Sequence, residues 1–355
     1  MTAAVRCSNP SFLQRSREAA KSTSSLSLTT STLSSSEDDK LRRCSQSRYQ
    51  RKCFLPLENS DKLLIRFLRP STISGLEQTA MTEVNTKAAE DFVNLVTSSK
   101  IYDLGQPYWW GMPVHPADPP FLIYLYRYHE QTKKLFQNIA PGLGFADSLE
   151  LVTTSMHSGT HLDALCHMSR DGKLYGGINA AEIESHVGYS RMSVEEIPPL
   201  VKRAVLLDFP KYKNLDILPE RYEISPEDID GALNLEGVEL KPGDAVLVRT
   251  GYSRFMAIDG DVYLHKFAGM TAASARHLAS KKIALACSDN LAFGVPKPFE
   301  LHQAFLVENG IFMIKSLNLE QLAKDSVYIS TLIVLPLKIR GATGSLVRPI
   351  ALAPS

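Results

Sequence analysis

The eleven residues from His157 to His167 read His-Ser-Gly-Thr-His-Leu-Asp-Ala-Leu-Cys-His and hold three imidazoles and one carboxylate. His157, His161 and Asp163 offer two neutral ring nitrogens and a hard oxygen, a donor set that Zn²⁺ or Mn²⁺ selects. Three protein ligands leave coordination positions for water and substrate, as catalysis requires. The pattern therefore points to one divalent metal ion, Mn or Zn, per chain. A cation held there would lower the pKa of its bound water from 15.7 toward about 7 and polarise a substrate carbonyl. His167 follows a ligand set that is already complete. An imidazole ordinarily titrates near 6.5, so the role expected of His167 is proton transfer, with ligation as the other option.

The spacing constrains the backbone. On a helix, position i+6 falls roughly 240° round from i, so Asp163 would point away from His157. On extended chain, residues 157, 161 and 163 share a side. Gly159 and Thr160 are poor helix residues, and the glycine can bend the chain or let it approach an ion. Extended backbone is the expectation.

Other chemistries lack their local signatures. The sequence contains no G-x-S-x-G, no Walker A and no G-x-G-x-x-G, and Gly142-x-Gly144 reads as a turn. Cys166 adjoins His167, and neighbours on extended chain point apart, so a Cys-His nucleophile pair is not expected. Cys166 and Cys287 read as small buried apolar residues. With five cysteines and no C-x-x-C, the chain suits a reducing compartment.

The elements that must position these groups begin near Lys87. Ala88 to Val96 has helical spacing, and Leu149 to Thr154 alternates as a strand running into the histidine motif. Residues 203–209, 244–250, 282–288, 311–314 and 328–335 are short apolar runs consistent with buried strands. Ser225-Pro226-Glu227-Asp228 is a helix start with cap, proline and acids, and Thr271 precedes a helix over Ala272 to Ser280. Strands alternating with helices predict an α/β layered domain. A chain of 355 residues with 44% hydrophobic content can bury a full core. A net charge of +1 gives no support for nucleic-acid binding, and no apolar run approaches the roughly 20 residues of a membrane span.

Residues 1–80 differ in character, with thirteen Lys and Arg against seven Asp and Glu and a Ser-rich stretch from Ser22 to Ser36. They read as a disordered tail or an organellar targeting extension, so the expected location is cytoplasmic, or organellar if they act as a transit peptide. Met81 could itself start the functional protein, and residues 81–355 are expected to form the catalytic domain.

The histidine run resembles the signature of the cyclase family of metal-dependent hydrolases, which includes bacterial kynurenine formamidase and isatin hydrolase. The resemblance extends through Tyr102-Asp103-Leu104, Gly111-Met112-Pro113, Val248-Arg249-Thr250-Gly251, Ser288-Asp289, His302 to Leu306 and Arg340 to Ser345. It implies a single domain with a swivelling β/β/α fold and a homo-oligomer. It also implies hydrolysis of a small-molecule amide, either an aryl formamide or a cyclic amide such as isatin. His302 matches the family's late histidine and is expected to ligate or to hydrogen-bond substrate. Trp109 and Trp110, beside Tyr108, could stack an aryl ring or sit in the core. Lys315 stands where binuclear members carry a metal-binding glutamate, and a protonated lysine cannot ligate. One metal is therefore expected rather than two. The second reading is a non-catalytic cyclase-fold binding protein with a degenerate metal site.

Overall fold

The computed structural model describes residues 75–355. Its principal strands are β1 (Lys100–Asp103), β2 (Leu122–Arg127), β3 (Leu149–Thr153), β4 (His161–Asp163), β5 (Leu200–Asp208), β6 (Ala245–Arg249), β7 (Leu285–Ser288), β8 (Phe312–Lys315), β9 (Ile329–Val334), β10 (Gly344–Leu346) and β11 (Ile350–Ala353). The helices that matter here are α1 (Gly75–Ser98), α2 (His129–Ile139), α3 (Pro226–Glu236), α4 (Ala272–Ser280) and α5 (Pro298–His302).

Nine of these strands form one curled sheet in the order β1-β11-β9-β5-β6-β7-β8-β4-β10. The neighbours from β5 to β8 run parallel, and the flanking strands are antiparallel. Side chains on a strand alternate between faces, and both faces of this parallel centre are apolar. Val205, Leu207, Val246, Val248, Ala286 and Met313 enter one core with residues of α3 and α4. Ala204, Leu206, Leu247, Leu285, Cys287 and Ile314 enter the other. Burial on both faces is why these runs read as continuously apolar rather than alternating. The domain is thus mixed α/β, as expected.

Local signals place the helices. The Ser225 hydroxyl accepts from Asp228 N–H, and the Asp228 carboxylate accepts from Ser225 N–H, a reciprocal cap with Pro226 at the first helical position. Thr271 caps α4 without the reciprocal bond or the proline, its side chain accepting from Ser274 N–H. Residues 299–309 are less regular than one helix: α5 ends at His302, and a π-helical turn follows over Gln303–Glu308.

Part of the expected extension, residues 1–74, lies outside the described residues, with Cys7, Cys44 and Cys53. Helix α1 spans position 80/81, and its Phe92, Val93 and Leu95 are exposed. Cys166 and Cys287 are buried free thiols. Burial pushes the Cys166 thiol up to about 12, so it is no nucleophile at neutral pH.

Candidate metal centre

Only part of the histidine run is extended. Residues 161–163 form β4, but Met156 and His157 lie in a turn and residues 158–160 bend. The expectation that one strand aligns 157, 161 and 163 is therefore corrected. His161 and Asp163 share a face by strand period, whereas His157 is folded back onto that face by the turn. Gly159 makes the turn possible: its φ is +53°, and an added Cβ would lie 2.6 Å from the Tyr108 ring. The close approach is thus to Tyr108. That ring is fixed in turn, its hydroxyl donating to the Thr160 carbonyl at 2.5 Å. Gly159→Ala should combine left-handed strain with a clash and cost about 2–4 kcal/mol. Urea unfolding checks this, and an unchanged midpoint would show that the turn relaxes freely.

Strand β4 lies between β8 and β10, and the registers decide what meets the motif. Lys315 pairs with His161 and Met313 with Asp163 on one side. On the other, Gly344 pairs with Asp163. Paired residues point to the same face, so Lys315 joins His161 and Asp163. Gly344 leaves the space into which His157 folds, because a Cβ there would sit 2.7 Å from His157 Cε1.

The polar contacts then follow. His157 Nδ1 is 2.8 Å from Asp163 Oδ1, and its Nε2 is 2.9 Å from the Thr343 hydroxyl. His161 Nδ1 lies 2.8 Å from the Gly159 carbonyl. A carbonyl only accepts, so Nδ1 carries the proton and Nε2 presents a lone pair. That Nε2 is buried, has no hydrogen-bond partner, and sits 3.5 Å from Asp163 Oδ1. Two buried acceptors facing each other are unfavourable unless a cation lies between them. The donor set therefore fits a divalent metal.

His167 stacks on His157 with ring centroids 3.9 Å apart. Ligand atoms of His157, Asp163 and His167 lie within 4.8 Å of one another, so His167 is as close to the carboxylate as a ligand would be. His302 is buried on α5, where its Nδ1 donates to the Pro298 carbonyl at 2.7 Å. Its Nε2 accepts from Lys315 Nζ at 3.1 Å. Lys315 Nζ also lies 3.0 Å from Asp163 Oδ2. The ammonium thus sits between the carboxylate and His302.

Burial and this cation set the charges. Burial alone would raise the Asp163 carboxyl, but Lys315 and then His167 hold it well below the usual carboxylate range. Burial, reinforced by Lys315, pushes His161 well down and His302 down to about 4. Burial lowers His167 to about 3. At neutral pH the site holds an ionised carboxylate and neutral imidazoles at 161, 167 and 302, the protonation states that metal binding requires.

These groups line a cavity of about 260 Å³. His157, His161, His167, His302 and Lys315 form its polar side, and Met168, Leu291, Ala292, Pro298 and Phe299 its apolar side. His115 and Asp118 at the mouth carried no recognisable signal in the sequence. The two tryptophans are not in the lining. Trp109 packs behind the wall with Met112, Phe121, Met256, Tyr263 and Leu291, and Trp110 is 58% exposed. The ring beside the cavity is Phe299 instead. A separate open depression is lined by Asp208, Arg249 and Glu320, whose charges pair with one another.

Comparison with known proteins follows the same lines. A family model described as "Putative cyclase" matches residues 102–295. A crystal structure described as a novel cyclase is 25% identical, with a TM-score of 0.64, covering 74% of this chain and 89% of its own. Isatin hydrolase A from Labrenzia aggregata, bound to benzyl benzoate, is 23% identical with a TM-score of 0.55, covering 78% and 100%. An isatin hydrolase bound to the product analogue thioisatinate is 22% identical with a TM-score of 0.54, covering 78% and 99%. No curated protein matches the chain.

Proposed function

Because the chain belongs to the cyclase family, whose model spans more than half of it, we propose that it is a metal-dependent hydrolase cleaving the C–N bond of a small amide. The observation that carries this reading is the unpartnered, buried His161 Nε2 facing Asp163 Oδ1 across 3.5 Å, with His161 on the cavity wall. His157, His161 and Asp163 would hold one Mn or Zn ion. When bound, such an ion supplies an activated water and polarises the carbonyl. The isatin hydrolases among the structural neighbours support a cyclic or aryl amide as substrate, as does the apolar wall with Phe299.

The chain's own residues supply the rest. His167, on the cavity wall and stacked on His157, would take a proton from water and return it to the leaving nitrogen, with burial making its ring a weaker base than the free imidazole expected from the sequence. The apolar wall excludes bulk water and can seat an aryl ring. Lys315 and His302 hold the far side of Asp163, leaving Oδ1 turned toward His157 and His161. We assign this chemistry to residues 81–355.

The test is metal content together with turnover of a panel containing an N-formyl aryl amide and isatin. About one equivalent of metal and hydrolysis of one class, abolished by chelation, is the expected result. A chain with no metal and no turnover would instead be a cyclase-fold binding protein, the reading that the cation Lys315 inside the site would favour. His167→Ala should keep the metal and lower turnover by roughly 10²–10⁴. Loss of the metal with the activity would place His167 among the ligands.

A further inference from the structure

Lys315 is the one lysine or arginine in the cavity wall. The β4–β8 register sets it opposite His161, so its side chain lies on the face that carries the histidines. That side chain is 7% exposed. Leu291, Pro298 and Phe299 belong to the apolar side of the same cavity. Burying an ammonium is costly unless its charge and its donors are used.

The partners of Lys315 do not exhaust it. Among the described residues, Nζ has two: it donates to His302 Nε2 at 3.1 Å and lies 3.0 Å from Asp163 Oδ2. An ammonium has three N–H donors, so one is left for a molecule in the cavity. Asp163 is also shared. Its Oδ1 faces His157 and His161, where a divalent ion would draw on the same carboxylate. One buried acid then serves both the ammonium and the ion, and the interior is short of negative charge. Asp118, the acid in the lining, stands at the mouth.

We propose that Lys315 anchors an anion-binding site in this cavity. Its remaining N–H takes one oxygen of a small organic carboxylate, and the apolar body of that molecule packs on Leu291, Pro298 and Phe299. A hydrogen bond from an ammonium to a carboxylate is roughly twice as strong as a neutral one, and the apolar wall removes the rest of the molecule from water. The proposal rests on the hydrolase reading for the origin of its ligand. When water adds across an amide C–N bond, the acyl carbon leaves as a carboxylate and the nitrogen takes both protons. The acid so released is the anion that Lys315 holds.

The experiment is calorimetric titration of the full chain with benzoate and with nitrobenzene, its neutral isostere, at matched zinc content. Benzoate is expected to bind about tenfold or more tightly than nitrobenzene. Lys315→Met removes the charge while keeping most of the stem. It should weaken benzoate by about 10- to 100-fold, the loss of one charge-assisted hydrogen bond, and leave nitrobenzene within about twofold. Equal affinity for the two probes overturns the proposal, as does benzoate binding unchanged in Lys315→Met or absent at millimolar concentration. If Lys315→Met does not fold, a crystal structure of the unsubstituted chain with 4-bromobenzoate decides. A carboxylate within hydrogen-bond distance of Lys315 Nζ supports the proposal, and one bound elsewhere overturns it. Failure of the hydrolase reading has a different signature: no metal and no turnover, with benzoate binding that still depends on Lys315.

Discussion

Lys315→Glu should raise the metal content from about one equivalent per chain toward two. Lys315 Nζ lies 3.0 Å from Asp163 Oδ2 and 3.1 Å from His302 Nε2, so its charge stands among the atoms that would hold a second ion. At an effective ε of 20 and 4 Å, a +1 charge opposes a +2 ion by roughly 8 kcal/mol, enough to weaken binding of a second ion by several orders of magnitude. Glutamate replaces that repulsion with an oxygen donor and leaves His302 Nε2 without its hydrogen-bond partner and free to ligate. Without metal, the variant buries two carboxylates side by side, so its melting temperature should become strongly metal-dependent. Elemental analysis and thermal melting with and without chelator check both consequences. One equivalent and a metal-independent melting temperature would mean that Lys315 does not govern stoichiometry.

His161→Ala should empty the site and reduce turnover to about a thousandth or less, since metal polarisation is worth several kcal/mol and each 1.36 kcal/mol is tenfold in rate. The expectation follows from the tautomer that the Gly159 carbonyl imposes. With Nδ1–H committed to that carbonyl, Nε2 is a lone pair pre-aimed at the metal position. Folding should survive, because removing Nε2 also removes an unfavourable lone-pair contact with Asp163. Retention of one equivalent in the variant would exclude His161 from the ligand set. His157, Asp163 and His167, whose ligand atoms lie within 4.8 Å of one another, would then be the metal site.

The two experiments separate what local sequence encodes from what folding adds. His-x3-His-x-Asp-x3-His names its own donors, because ligand chemistry depends on residue type. Short apolar runs and the Ser225 and Thr271 caps marked the strands and helices, because strand period and helix capping are local physics. The α/β layering was legible for that reason. The bend at 157–160 was not, because Gly159 permits a positive φ without requiring one, and contact with Tyr108, some fifty residues earlier, is what holds it.

Which side chains meet at the site was decided by pairing between distant segments. Strand β4 meets β8 with His161 opposite Lys315, and a shift of one residue would send Lys315 to the other face. Lys315 was visible in the sequence as an unusual residue, but its place between Asp163 and His302 comes only from that register and from α5. Trp109 and Trp110 show the converse. Aromatic rings serve core and pocket equally well by composition, and the packing around Leu291 put Trp109 behind the cavity wall. Residue identity determined which chemistry this chain can do, and long-range register determined which of its residues stand where that chemistry would occur.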